Sequence, residues 1–360
     1  MKYYICETVF DEVRNRTAGS KAREDINLIV EQMGFKPIVV EYDYVLRKNK
    51  GFLYALKKLT EEWKSALSKI NNGDVVLIQY PLNHHPLFVG NEIDKLHARG
   101  GKLIIFIHDI DSLRMSYKGV IQCLKFAKVK IEDESILKRG DAVISHNKKM
   151  TEILISKFSL NTNILVNLKI FDYLVGTKYA DVKFNDNVCD ESIVIAGTFR
   201  RGKAGYVYNL PRNINFNLYG IGYEDKGIEN IKYHGAFLPE ELIKVMKGKF
   251  GLVWDGDSTE TCEGLSGNYM RYNNPHKTSL YLAAGIPVIV WKQAAIADFI
   301  LENRCGLTIN NIDEITQLFD KLEENDYNIL YNNAIKISDD LKSGEFTRVA
   351  INEALLRVKK

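Results

Sequence analysis

The sequence predicts an α/β fold built from two αβα domains, each with a parallel sheet. Short apolar runs, typical of strands buried on both faces, alternate with amphipathic helical segments along most of the chain. The alternation stops in an irregular polar stretch between Leu165 and Glu191 and then restarts. A length of 360 residues suffices for two domains. We therefore predict domains 1–180 and 181–360 with a cleft between them, and a C-terminal helix that can pack back on the first domain.

In the first half, strands are predicted over 2–9, 37–42, 74–80, 103–108 and 141–145, and helices over 22–33, 52–70, 92–98 and roughly 118–137. Ligands of parallel sheets bind outside the carboxyl ends of the strands, so polar residues that follow a strand are candidates for a site. Three such groups occur, namely the loop with Arg16, Thr17 and Ser20, the pair His108-Asp109, and the pair His146-Asn147.

These strand-end groups have structural interpretations as well as functional ones. His108 and Asp109 could bind an acceptor or supply a general base, or they could form a simple turn capped by Asp111. For His146, a hydrogen-bonded histidine at a strand end explains the residue at least as well as a function does. Lysines at positions 118, 125, 128 and 130 could face a membrane, although a solvated face is favoured.

In the second half, strands are predicted over 192–196, 213–219, 231–234, 250–254 and 288–291, and helices over 239–246, 275–285, 294–302, 312–322 and the end of the chain. The turn Gly197–Lys203 combines glycines that permit close approach with two cations, Arg200 and Arg201, that suit a diphosphate. The polar stretch from Asp255 to Asn274 is long for a connection in a compact domain, which indicates a functional or disordered loop.

The helix over 275–285 is the most informative unit. Asn274 is predicted to be its N-cap, Pro275 its first residue and Gly285 its end. Lys277 lies in the first turn, where a cation costs roughly 0.3–1 kcal/mol. Free backbone donors, the helix dipole and this lysine would together suit a phosphate, although a solvated lysine is an equal alternative.

Several classes of protein lose support. There is no G-x-G-x-x-G, no P-loop, no H-E-x-x-H and no G-x-S-x-G motif. A net charge of +3 is too small to indicate nucleic acid. The five scattered cysteines form no zinc or disulfide pattern, which favours a reducing, cytoplasmic setting. No signal peptide and no apolar run long enough for a transmembrane helix is visible.

The chain resembles GT-B glycosyltransferases, in particular bacterial galactofuranosyltransferase-like proteins and the glucosyltransferases that extend O-linked GlcNAc on serine-rich-repeat adhesins. The motifs that carry this resemblance run over nearly the whole chain and are Phe106–Arg114, Ile144–Asn147, Ile170–Tyr173, Trp254–Gly256 and, most specifically, Tyr272–Lys277 through Gly285–Ile289.

This resemblance implies two Rossmann-like domains that face a cleft, with a nucleotide-sugar site in the C-terminal domain and the acceptor in the N-terminal one. Asn274 and Lys277 would contact the UDP diphosphate, and Arg200 or Arg201 would add a second cation. The other implied residues are Trp254 and Asp255 lining the donor site, Tyr219 or Tyr233 at the uracil (for each, packing at a strand end is an equal alternative), and Thr17, with Arg16 and Ser20, facing the sugar or acceptor.

The implied activity is transfer of a hexose, galactofuranose or glucose, from a UDP-sugar to a hydroxyl of a glycan, lipid-linked glycan or glycoprotein, as in polysaccharide biosynthesis. It would need no cofactor and no metal, and His108 or Asp109 is the candidate base. The E-x7-E pattern of many retaining GT-B enzymes is missing, because Asn273 and Asn274 occupy that region and Glu263 lies well upstream.

This departure leaves two alternatives, a non-enzymatic nucleotide-sugar-binding partner subunit and, ranked lower, a GT-B epimerase. We expect a cytoplasmic protein, with contact at the inner face of the membrane and homo-oligomerisation both open.

Overall fold

The computed structural model describes residues 1–10, 18–83, 89–115, 120–176 and 191–359. Arg16 and Thr17 of the predicted sugar or acceptor loop lie outside these ranges, and Ser20 is described only as part of a helical backbone. The chain divides into two compact units, the first formed by Met1–Leu168 with Thr347–Lys360 and the second by Lys169–Phe346. The division therefore falls between Leu168 and Lys169, whereas the sequence placed the boundary near residue 180.

The first unit contains a parallel sheet of six strands in the order β2-β1-β3-β4-β5-β6. The strands are β1 (Lys2–Phe10), β2 (Lys36–Asp43), β3 (Val75–Tyr80), β4 (Lys102–Ile107), β5 (Ala142–Ser145) and β6 (Leu165–Asn167). The helices are α1 (Ala18–Gln32), α2 (Tyr44–Lys50), α3 (Phe52–Ser68), α4 (Val89–Ala98), α5 (Val120–Leu137) and α6 (Lys148–Phe158).

The second unit repeats this architecture with the strand order β12-β11-β10-β7-β8-β9, again parallel throughout. Its strands are β7 (Ile193–Thr198), β8 (Phe216–Ile221), β9 (Ile231–Tyr233), β10 (Phe250–Val253), β11 (Val288–Trp291) and β12 (Gly306–Ile309). Its helices are α7 (Pro239–Val245), α8 (Gly264–Tyr269), α9 (His276–Ala283), α10 (Ala297–Glu302), α11 (Glu314–Lys321) and α12 (Glu324–Ser343), and α13 (Glu345–Arg357) leads from it into the first unit.

The sheets are built from the apolar runs that the sequence marks. Strands β3 and β4 are buried along nearly their whole length, and β10 and β11 along all of it, as expected where helices cover both faces of a parallel sheet. The predicted α/β class with two parallel sheets is confirmed. Among the described residues, no helix is both long enough and apolar enough to cross a bilayer.

Some local predictions were incomplete or wrong. Helices α2 and α6 and strands β6 and β12 were not predicted, and α8 lies inside the stretch taken as one long polar loop. The predicted N-cap at Asn274 is wrong, because α9 begins at His276 with Pro275 as the cap residue. The Asn274 amide instead donates a hydrogen bond to the Lys169 carbonyl, 2.8 Å away.

Candidate functional site

The carboxyl edge of the second sheet holds an ion pair between Lys277, in the first turn of α9, and Asp255, which follows β10. The Lys277 ammonium lies 2.6 Å from Asp255 Oδ1 and donates a second hydrogen bond, of 2.8 Å, to the Trp254 carbonyl. The two side chains are only 15% and 14% exposed. An ammonium has three N–H donors, and within the described residues the third has no partner. It is therefore available to a ligand oxygen at the start of the helix.

Close packing of α9 on the sheet fixes the position of this pair. The ring of Tyr281 lies directly against Gly251 of β10, where an added Cβ would come within 2.3 Å of Tyr281 Cγ. The Tyr281 hydroxyl accepts a 2.7 Å hydrogen bond from the Ala196 amide of β7. Only glycine at position 251 lets the helix come this close, so the sequence of β10 sets the height of Lys277 above the sheet.

The start of α9 is also held from the other side, by the segment that opens the second unit. Ser279 donates a 2.7 Å hydrogen bond to the Phe171 carbonyl, and Asn274 donates to Lys169 as described above. The His276 ring packs 5.1 Å from that of Tyr173. Asn274 is thus buried and used in positioning this segment, and its contact with a diphosphate remains a prediction.

Arginines 200 and 201 lie on the loop after β7, the strand next to β10. Asp257 ties this loop to the Asp255 turn by accepting hydrogen bonds from the amides of Gly202 (2.7 Å) and Gly205 (3.0 Å). Both arginines are exposed, and neither guanidinium has a hydrogen-bond partner within the described part of the chain. They are two exposed cations on the loop that Asp257 joins to the Asp255 turn.

The aromatic residues predicted at the donor site, Tyr219, Tyr233 and Trp254, are partly or fully buried, whereas stacking on a uracil needs an exposed ring face. Tyr219 is 1% exposed, and its hydroxyl donates to Val245 O and accepts from Lys247 N, each at 3.1 Å. Tyr233 is half-buried and donates a 2.8 Å hydrogen bond to Gly220 O. The Trp254 ring is buried and donates to Ser258 O, so this residue reaches Lys277 through its main-chain carbonyl. Packing roles account for these contacts, and roles at the uracil remain predictions.

Sequence reasoning missed two buried residues close to Asp255, Tyr206 and Cys262. Burial raises the pKa of the Cys262 thiol, which keeps it neutral and makes it a packing residue rather than a nucleophile. Burial also raises the pKa of Tyr206, whose hydroxyl has no hydrogen-bond partner among the described residues. No motif marks either residue. Glu263, set aside for its sequence distance, has its backbone against Gly256, although its side chain is exposed.

At the carboxyl edge of the first sheet, His108 follows β4 and is oriented by Gln79 of β3. His108 Nε2 lies 2.6 Å from Gln79 Oε1. The Gln79 amide nitrogen donates to the Arg23 carbonyl (3.3 Å), which can only accept, and to Asn27 Oδ1 (2.7 Å), so this network assigns the Gln79 oxygen to the side that faces the histidine. Nε2 therefore carries the proton, and in the neutral ring Nδ1 keeps the lone pair. This tautomer suits Nδ1 for accepting a proton from a hydroxyl.

The neighbouring candidates have structural partners. Asp109 pairs with Arg114 at 2.7 Å, and both side chains are partly exposed. The short 3₁₀ helix that follows starts at Asp111 with Ile110, not Asp111, as its cap. His146 is buried against the Ile107 carbonyl, 3.1 Å away, and burial lowers its pKa to about 3. It is a neutral histidine at a strand end, as its structural interpretation predicted.

The fold and these two edges define a class of protein. The structure aligns with that of a glycosyltransferase from Rickettsia africae with a TM-score of 0.62 over 100% of this chain and 99% of that one, at 12% identity. At that identity the likeness shows the fold alone, which is the GT-B fold of two αβα domains.

Sequence comparisons then give the family. Models of the N-terminal and C-terminal domains of glucosyltransferase 3-like proteins match residues 2–167 and 193–354. The beta-1,6-galactofuranosyltransferase WbbI of Escherichia coli is 35% identical over 296 residues, covering 80% of this chain and 81% of WbbI. Glucosyltransferase 3 of Streptococcus gordonii is 24% identical over 338 residues, 94% of each chain.

The chain belongs to the glucosyltransferase 3-like family of glycosyltransferases, and it is a hexosyltransferase. The predicted resemblance is confirmed, and nothing in these comparisons favours a non-enzymatic partner subunit.

Proposed function

We propose that this enzyme transfers a galactofuranosyl group from UDP-galactofuranose to a hydroxyl of a glycan, either lipid-linked or part of a polysaccharide. The 35% identity with WbbI, whose name states this sugar, supports the choice. Transfer of glucose from UDP-glucose to a glycoprotein glycan is the second candidate, favoured by the 94% coverage of the streptococcal glucosyltransferase.

The observation that carries the donor assignment is the Lys277 ammonium at the start of α9. It is oriented by Asp255 and the Trp254 carbonyl and has one N–H left for a phosphate oxygen. The first backbone N–H groups of the helix are further donors for an anion and add the favourable end of the dipole. Negative charge grows on the diphosphate as the sugar leaves, and this arrangement is suited to stabilising it.

We propose that this stabilisation comes from protein cations and needs no metal. Lys277 would supply one, and Arg200 and Arg201, exposed on the loop after the neighbouring strand β7, would supply others. Arginine is well matched to a diphosphate because its planar fork can bind two phosphate oxygens at once.

On the acceptor side, we propose His108 as the base. The bond between the anomeric carbon and the UDP oxygen breaks, and the acceptor oxygen forms the new bond to that carbon. The acceptor proton moves to His108 Nδ1, while Gln79 holds Nε2–H. A cytoplasmic setting is part of the proposal, since Cys6, Cys123, Cys262 and Cys305 are free thiols, as in a reducing compartment.

Calorimetric titration with UDP, GDP and ADP, with and without EDTA, tests the donor site. We expect selective UDP binding that survives EDTA. UDP release from UDP-galactofuranose and UDP-glucose, measured with glucoside and galactoside acceptors, then decides between the sugars. Loss of UDP binding in EDTA would contradict the metal-independent mechanism, and faster turnover of UDP-glucose would replace galactofuranose as the donor sugar.

A further inference from the structure

The first unit exposes a compact basic and apolar surface at the junction of α2 and α3, which we call the junction patch. Phe52, Leu53 and Tyr54 are 55%, 78% and 40% exposed. No other run of three consecutive large hydrophobic residues is exposed in the part of the chain that the structure describes. Single exposed hydrophobic residues need no explanation, whereas a contiguous group at a helix start indicates a surface that contacts something.

The charges around this group are mostly positive, although Glu61 and Glu62 follow the segment and Glu61 pairs with Lys58 at 3.4 Å. The segment from Tyr44 to Thr60 contains no acidic residue, and its basic residues are all exposed, namely Arg47, Lys48, Lys50, Lys57 and Lys58. Arg47 lies 5.3 Å from the centre of the Phe52 ring and Lys50 lies 5.1 Å from that of Tyr54. Cations and aromatic rings are therefore interleaved on one surface, within a chain whose net charge is only +3.

Helix α5 provides a comparison for the junction patch. It also exposes hydrophobic side chains, Leu124 and Ile131, and lysines that suggested a basic face in the sequence. Its lysines at 128 and 130 are paired with Glu132 and Glu134 at 3.6 and 3.7 Å, and Lys118 lies outside the described residues. Two of the α5 lysines are thus paired with glutamates of the same helix. In the junction patch Lys58 pairs with Glu61 at 3.4 Å, but five basic residues and no acidic one lie between Tyr44 and Thr60, so the patch keeps an excess of positive charge.

The junction patch also has a meaningful position in the fold. Strand β2 runs parallel to β1, so its end at Asp43 lies at the carboxyl edge of the sheet, and α2 begins there at once. Helix α3 then runs back towards the start of β3, so its first residues lie at this same edge. His108, at the end of β4, belongs to this edge too.

We propose that the junction patch binds the surface of a bilayer that contains anionic phospholipids. Exposed basic residues attract the anionic headgroups, and Phe52, Leu53 and Tyr54 enter the interface between headgroups and acyl chains. Aromatic side chains next to cations are favoured at that depth. Docked in this way, the first unit turns the edge that carries His108 towards the membrane surface, where a lipid-linked acceptor would lie. This last step rests on the proposed acceptor site; membrane binding itself does not.

Co-sedimentation of the full chain with vesicles tests the proposal. We expect binding to vesicles of phosphatidylcholine with phosphatidylglycerol, little binding to phosphatidylcholine alone, and weaker binding as salt rises. Lys48→Gln/Lys57→Gln should lower the partition coefficient by about 25-fold, at about fivefold per charge. Phe52→Ser/Leu53→Ser should lower it on the order of tenfold. The matched control Lys157→Gln/Lys232→Gln removes two exposed lysines elsewhere and should bind like the parent protein.

Two results would overturn the proposal. One is an absence of patch-dependent binding, either because the parent protein does not sediment with anionic vesicles or because the patch variants bind as well as it does. The other is a parent protein that self-associates in light scattering and becomes monomeric in Phe52→Ser/Leu53→Ser, which would make the patch an interface between copies of this chain. UDP titration of each variant keeps this test separate from the donor site, because the patch variants should bind UDP normally.

Discussion

Replacing Lys277 by methionine is the sharpest test of the donor site, because methionine keeps the apolar stem and removes the ammonium. The structure gives this ammonium two protein partners, Asp255 and the Trp254 carbonyl, and one N–H for a ligand. A charge-assisted hydrogen bond contributes about 1.5–3 kcal/mol. The dissociation constant for UDP should therefore rise roughly 10- to 150-fold, as measured by calorimetry.

The same substitution should also weaken the fold, which must be separated from the loss of binding. Asp255, only 14% exposed, would lose its cationic partner. We expect a loss of about 1–3 kcal/mol in the free energy of unfolding, less than for a fully buried pair because both groups keep some contact with water. Lys249→Met removes the 2.9 Å pair with Glu191 in the same unit and serves as the control for UDP affinity.

The double variant Lys277→Met/Asp255→Asn distinguishes the two effects. It leaves no unpaired carboxylate, so stability should recover most of what Lys277→Met lost. UDP affinity should stay low, because the Lys277 ammonium that would bind the diphosphate is still missing. Unchanged UDP affinity in Lys277→Met, or affinity that returns together with stability in the double variant, would refute the diphosphate assignment and leave the pair a purely structural one.

Three further predictions concern the residues around the two sites. His146 should make the parent protein less stable as pH falls below 6.5, because its pKa of about 3 in the fold means that the unfolded chain binds more protons. The free energy of unfolding should fall by about 2 kcal/mol by pH 5. In urea unfolding, His146→Gln should not show this part of the pH dependence. Gly251→Ala should lower stability by about 1–3 kcal/mol in thermal unfolding, since the new methyl group meets Tyr281, and an unchanged midpoint would contradict that packing. Gln79→Leu should lower kcat/KM on the order of tenfold, because His108 loses the partner that orients it. Gln79→Glu should retain more activity and move the acidic limb of the pH–rate profile to higher pH, since a carboxylate raises the pKa of the histidine. Equal pH–rate profiles would show that Gln79 does not act through His108.

Much of the fold could be predicted because its determinants are local. The strand Val288–Trp291 is an apolar run preceded by Gly285 and Pro287, which separate it from the helix before it. The structure has a strand with the same bounds. Strand β12 was missed because it has only four residues, two buried and two half-buried, and these are too few to show a period. Helix α6 was missed although its cap is clear in the structure, where Asn147 accepts a 2.9 Å hydrogen bond from the Met150 amide.

The site was less accessible from sequence because its contacts join distant residues. Lys277 could be singled out by its place in a helix start, but nothing local predicts its pairing with Asp255. Asn274 was assigned to the helix cap because asparagine before proline is a strong local signal. Its actual partner, the Lys169 carbonyl, is 105 residues away in sequence and only the tertiary fold brings it near. Tyr206 and Cys262 carry no motif, so only burial identifies them.

The charges of the donor site lead to a final expectation. Lys277 and Asp255 neutralise each other, so this pair orients a phosphate without adding net positive charge. The helix start contributes about half an elementary charge. Since the diphosphate gains about one negative charge when the sugar leaves, we expect the exposed pair Arg200 and Arg201 to supply the rest of the stabilising charge. Arg200→Gln and Arg201→Gln should therefore lower kcat more than they raise KM; a change in KM alone would show that the arginines bind the donor equally before and during transfer.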